Sequence, residues 1–236
     1  MSATVSLPVQ GQQRDRSYGP FGDWFYFFMP LLIALIVVYG FGQRAEIQLI
    51  HPLHPKPMVM WIHGVVFSGW VLFYIAQSAL VRARNVRLHR RVGRFGVVLG
   101  ASLPILGTIT TVVIRRFDLQ YSELRKIAPN VAIGLLDLAS FTVPFVLAIY
   151  WRKKPEVHHR LMLVATCGLT AAAFVRFPSI FHPWPWYHLA VDLLIALAMA
   201  RDLLVERRIH VVYLSFLPLL FAAQIAVMST VVHLWK

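Results

Sequence analysis

Seven long apolar stretches alternate with short polar ones along the chain, at residues 23–41, 58–81, 92–114, 131–150, 157–177, 187–204 and 211–235. A helix needs about 20 mostly apolar residues to cross a bilayer. The pattern therefore predicts an all-α fold, a polytopic membrane helix bundle of about seven transmembrane helices. The sixth stretch, which contains His188 and Asp192, is the weakest, with only about twelve to eighteen apolar residues, and a tilted or partly interfacial helix is the alternative for it. Residues 1–22 are polar, contain Pro8, Arg14, Arg16 and Pro20, and lack the apolar centre of a signal peptide. They are expected to form a flexible cytoplasmic tail, with residues 23–236 as a single transmembrane domain.

The polar stretches set the orientation. Residues 81–96 read VRARNVRLHRRVGRFG and hold Arg82, Arg84, Arg87, Arg90, Arg91 and Arg94 without an acid. Short loops rich in Lys and Arg are retained on the cytoplasmic side. The stretches WRKKPEVHHRLM and ARDLLVERRIHVVY repeat the pattern, and each of the three delivers histidine to the start of the next helix: His89, His158 with His159, and His210. The N-terminus is accordingly expected in the cytoplasm, and the arginine turn against anionic lipid. A bacterial inner membrane is the expected location.

Composition agrees with the pattern. The chain has 236 residues, 58% of them hydrophobic and only 14% charged, against about 25% charged in soluble domains. A net charge of +13 would point to nucleic acid in a soluble protein. Here the aromatics lie in apolar runs rather than on a basic face, so a nucleic-acid partner is not expected. The single cysteine, Cys167, excludes an internal disulfide and any CxxC metal or redox motif. It reads as inert filling within an apolar helix.

Candidate chemistry then falls on both sides of the membrane. His89, His158 and His210 share one depth at the inner edge. They are either interfacial anchors or ligands of a shared metal or haem, since imidazole suits Cu, Zn and Fe and serves as an axial haem ligand. In the outer half lie His63, Asp137 and Asp192. An aspartate at a helix centre costs about 2.5–3.5 kcal/mol on insertion scales, so two of them call for partners. They are polar links between helices, or parts of a proton relay, a metal site or a quinone pocket. Gln77 and Arg176 are supporting polar residues. His63, Trp70 and Gln77 recur every seven residues and line one helix face with Phe67 and Tyr74, a stripe that is more often core packing than a cofactor wall. Arg160 and Arg176 bound the fifth stretch and are expected to snorkel to opposite surfaces. No nucleophile elbow or phosphate-binding glycine loop is present in the sequence.

Several of these residues carry a resemblance. His63-Gly64, Trp70, Gln77, LHRRVGRFG, the run Pro155, Glu156, His158, Arg160, Leu161, Met162, then Arg176 before FP, Asp192-Leu193-Leu194 and Arg208-Ile209-His210 resemble an uncharacterised family of bacterial multi-pass membrane proteins, the DUF2306 type. The family often has proline after the last histidine, where this chain has Val211. In layout the chain is also similar to haem–copper oxidase maturation proteins and to b561-like haem proteins. Those similarities imply haem b or a transition metal held by paired histidines, with His89 and His158 as an inner pair and His63 on the outer side. The expected role is redox chemistry or assembly of a respiratory complex. Two alternatives stand beside it: a non-catalytic accessory subunit bound to other subunits of a membrane complex, and a proton-coupled transporter using Asp137, Asp192 and Arg176.

Overall fold

A computed structural model describes residues 20–43, 54–121, 131–178 and 187–233. Most of the expected tail, together with His51 and His182, lies outside these residues. The elements in chain order are α1 Pro20–Gly42, α2 Met58–Arg82, α3 Val86–Tyr121, α4 Val131–Tyr150, α5 Pro155–Gly168, α6 Ala171–Phe174, α7 His188–Glu206 and α8 Val211–His233. No strand occurs among the described residues. Five helices, α1, α2, α3, α4 and α8, are long and apolar enough to cross a membrane. The protein is a multi-pass helical membrane protein.

The two remaining segments differ from expectation in an instructive way. The fifth stretch is not one helix: α5 stops at Gly168, and a single turn, α6, follows. Thr170 stays in helical backbone at this break, and its hydroxyl donates to the carbonyl of Cys167. α7 carries Asp192, Arg201, Asp202 and Glu206. Neither segment is among the five spans, and both turn their charges or broken backbone towards neighbouring helices, because lipid cannot satisfy those groups. α5 packs against α1, α4, α7 and α8, and Leu161, Leu163, Val164, Ala165, Thr166 and Cys167 are all buried.

Small residues allow the helices to approach closely. A Cβ on Gly40 would lie 2.5 Å from the carbonyl oxygen of Ala173, which locks α1 against α6. On α3, Gly96 faces Phe73 and Gly100 faces Phe145 and Trp70. Trp70 meets Phe141 and Phe145 edge-to-face, with ring centroids 5.3 and 5.6 Å away. That part of the α2 stripe is core packing.

The arginine turn is shorter than the sequence pattern implied. α2 ends at Arg82, and Asn85 already caps α3, its Oδ1 accepting the Leu88 N–H at 3.1 Å. Arg87, Arg90, Arg91 and Arg94 are therefore on the first turns of α3 rather than in a loop. Arg84, in the turn, and Arg207, ending α7, both adopt left-handed backbone with φ of 57° and 59°. Glycine would be less costly there by about 1–2 kcal/mol; arginine keeps the positive charge at this end. The Arg82 guanidinium also lies 3.9 Å over the Trp24 ring, so α1 begins at the arginine end.

Candidate functional site

Polar side chains gather in three places. The first lies at the arginine end, where α2, α3, α4 and α5 meet. His89 is on the first turns of α3 and His158 on the first turn of α5, and their ring centroids are 6.5 Å apart at 74°. The Nδ1 of His158 is 2.9 Å from the carbonyl oxygen of Ala148. A carbonyl only accepts, so that nitrogen carries the proton, and Nε2 keeps its lone pair. The Nδ1 of His89 is buried without a hydrogen-bond partner. Gln77, on α2 beside His89, is 7% exposed, and neither of its amide atoms has a partner. Its Oε1 faces Gly93, one turn beyond His89. Buried amide atoms are nearly always satisfied in native proteins, so Gln77 marks this corner as a place where a ligand or water completes the structure.

His210 does not join them. Its Nδ1 accepts the Val212 N–H at 3.2 Å, and its carbonyl receives Tyr213 N–H at 3.0 Å; it is the N-cap of α8. Among the described residues no group of three or more His, Cys, Asp or Glu side chains is placed to hold a metal ion. The shared depth of His89, His158 and His210 reflects three helix starts, and only two of the three rings approach. His159 turns away from the pair: its Nδ1 bonds the Pro155 carbonyl, and its ring stands 4.3 Å from that of Tyr26.

The second cluster is an ion network that the sequence pattern did not reveal. Arg160 does not snorkel. It is 1% exposed and grips Asp202 with two bonds, Nε–Oδ2 at 2.8 Å and Nη2–Oδ1 at 3.1 Å. It also reaches Glu206 at 2.6 Å, and Arg201 Nη1 bonds both Asp202 and Glu206, at 2.9 and 2.5 Å. Two guanidiniums and two carboxylates cancel. The network ties α5 to the end of α7, below the hydrogen-bonded pair Tyr26 and Tyr213 (3.1 Å). One signal was available: a helix that carries two acids and one arginine near its end needs a cationic partner inside the membrane, and Arg160 is the cation at matching depth.

The third cluster is at the opposite end. Asp137 Oδ1 bonds His188 Nε2 at 2.9 Å, and Asp192 Oδ1 accepts Gln224 Nε2 at 3.1 Å. Asp137 and Asp192 thus have partners, but not His63. His63 stacks on Phe67 with centroids 3.9 Å apart. Arg176 is held by the Ala172 carbonyl and lies 4.3 Å from the Phe41 ring. Cys167 is fully buried in apolar surroundings; it is inert filling.

The start of α3 also presents an open groove lined by Val86, Arg87, Arg90, Arg91 and Arg94. Together with Arg82 and Arg84 it forms a basic rim suited to lipid phosphate. No protein-family profile, curated protein or solved structure matches the chain.

Proposed function

We propose that the protein holds a transition-metal ion (copper, zinc or iron) between His89 and His158 at its cytoplasmic edge, in the service of redox chemistry or assembly of a respiratory complex. The observation that carries this reading is the paired rings beside an unsatisfied Gln77. An ion bound at about 2.0–2.1 Å by two opposed imidazoles sets their centroids about 6 Å apart, close to the observed 6.5 Å. The Ala148 carbonyl fixes the His158 tautomer so that Nε2 is the ligand, the usual arrangement around metal-bound histidine. Gln77 Oε1 supplies a third, weaker oxygen donor. A bound metal would contribute Lewis acidity or electron transfer; this chain's residues supply orientation and exclusion of water.

The packing favours an ion over a macrocycle. Beside the histidines, α2 and α3 close on each other through Gly93 against Gln77 and Gly96 against Phe73, which leaves little width for a porphyrin. The arginine rim suits an anionic lipid more than haem propionates for the same reason.

Titration of the purified protein with Zn²⁺ and Cu²⁺ tests the reading. One ion per chain is expected, with binding weakened at least about tenfold in Gln77→Leu, the size of effect seen when a supporting group is removed. His210→Ala should bind as wild type. Equal binding by wild type and a His89→Ala/His158→Ala variant would refute it. A Soret band in the purified protein would replace the ion by haem.

A further inference from the structure

The cluster at the end opposite the arginine turn leaves two buried polar atoms of α7 without a hydrogen-bond partner. His188 and Asp192 are one helical turn apart on the same face, and they are 5% and 8% exposed. Each uses one polar atom on a neighbouring helix: His188 Nε2 on Asp137 of α4, and Asp192 Oδ1 on Gln224 of α8. The remaining atoms, His188 Nδ1 and Asp192 Oδ2, are both buried without a partner.

We infer that Asp137, His188 and Asp192 form a proton-binding site, with the proton, directly or on a bridging water, seated between His188 Nδ1 and Asp192 Oδ2. The chemistry of the donors selects the proton. Asp137 accepts the Nε2–H of His188, so Nδ1 of the neutral ring is a bare lone pair. Asp192 Oδ2 is a second acceptor, and two acceptors cannot satisfy each other. One added proton gives both a partner and removes one unit of negative charge from a pair of carboxylates inside the bilayer, where isolated charge is expensive. A metal ion fits less well: Asp137 sits on the far nitrogen of the ring, which leaves one imidazole nitrogen and one carboxylate oxygen, without the paired imidazoles found at the other end.

The surroundings matter too. Tyr187, whose ring stacks on that of His188 with centroids 4.3 Å apart, and Arg176 are the other titratable or charged groups here, and the charges of Asp137 and Arg176 both act on Tyr187. α8 offers the neutral Gln224, and α5, which packs against α7, buries the uncharged Thr166 and Cys167. Further along α7 the buried face is Leu194, Ile195 and Ala198 before the ion network at Arg201. That apolar interval separates the site from the arginine end by nine residues, about 13 Å of helix. This inference is independent of the metal reading, which uses different residues at the other end.

Infrared difference spectra of the full-length protein in lipid vesicles, recorded as the pH is stepped from about 8 to about 5 across the histidine range, test it. Wild type should show one carboxyl or imidazole protonation that is lost in Asp192→Asn and altered in Asp137→Asn, while Asp118→Asn leaves it in place. Asn is near-isosteric with Asp, and helical content measured on the same samples confirms that each variant is folded. Proton uptake counted with a pH indicator in weak buffer should fall by one per chain in Asp192→Asn. Identical spectra and uptake in wild type and Asp192→Asn would overturn the proposal. So would a wild-type signal that disappears with chelator and returns with a divalent metal.

Discussion

Asp202 is the acid on which the ion network turns. It is 0% exposed and accepts three charged hydrogen bonds, two from Arg160 and one from Arg201. Asp202→Ala leaves two guanidiniums sharing Glu206, which is itself partly exposed. Removing one partner of a buried pair costs about 3–5 kcal/mol, because the charge left behind has neither water nor counter-ion. Stability of domains is about 5–15 kcal/mol, so the loss is a large share of the whole. For a chain of this length each kcal/mol moves the melting point by about 2–4 °C, giving a drop of about 6–20 °C. Thermal unfolding in detergent, followed by circular dichroism, measures it. Arg160→Met/Asp202→Leu removes the charge together with its partner and should recover part of that drop, since apolar replacement of a buried pair is often neutral or better. A double-mutant cycle then isolates the coupling. If Asp202→Ala melts within about 1 °C of wild type, the network does not hold α5 to α7.

Three further outcomes are expected. Gly40→Ala places a Cβ 2.5 Å from a backbone oxygen of Ala173, which no rotamer change relieves, so it should destabilise by about 1–3 kcal/mol and lower the melting point in the same assay. Gly100→Ala meets Phe145 and Trp70 ring atoms instead; these side chains shift, so its penalty should be the smaller of the two. His210, at the head of α8, has its pKa lowered by burial and then by the charge of Arg160. Its stabilising contribution is therefore fully present above the ordinary histidine pKa of about 6.5 and is lost as pH falls below it. The melting point should decline on acidification in wild type and decline less in His210→Asn, which retains a capping acceptor; parallel pH profiles would contradict this.

The sequence made the apolar helices legible and the polar interior much less so. α2 and α4 match their stretches closely because each is a clean apolar run between polar ends. α3 extends beyond its stretch at both ends: Arg87, Arg90 and Arg91 are good helix formers, and charge alone does not end a helix. Asn85 was the readable start signal. The break after Gly168 has no comparable mark, because Leu169, Thr170 and Ala171 suit a helix as well as a turn. Asp137 and Asp192 stood out as costly charges, and both proved to have buried partners. Which partners depended on packing: His188 and Gln224 lie 51 and 32 residues away in sequence, and periodicity within one helix says nothing about the rotation of another. Arg160 and Asp202 could not be paired for the same reason, although the acids near the end of α7 called for a cation. His89 and His158 start helices at one depth, and their rings lie 6.5 Å apart; His210 starts a third but is held in its capping role.

Metal analysis and a visible spectrum of the freshly purified protein, oxidised and reduced, bear most directly on the two-histidine site. The expected result is one copper, zinc or iron per chain, without a Soret band, and its loss in the His89→Ala/His158→Ala variant. Metal-free, colourless wild-type protein whose melting point is unmoved by added Cu²⁺, Zn²⁺ or Fe²⁺ would contradict the assignment, and the two rings would then be structural anchors at the membrane edge.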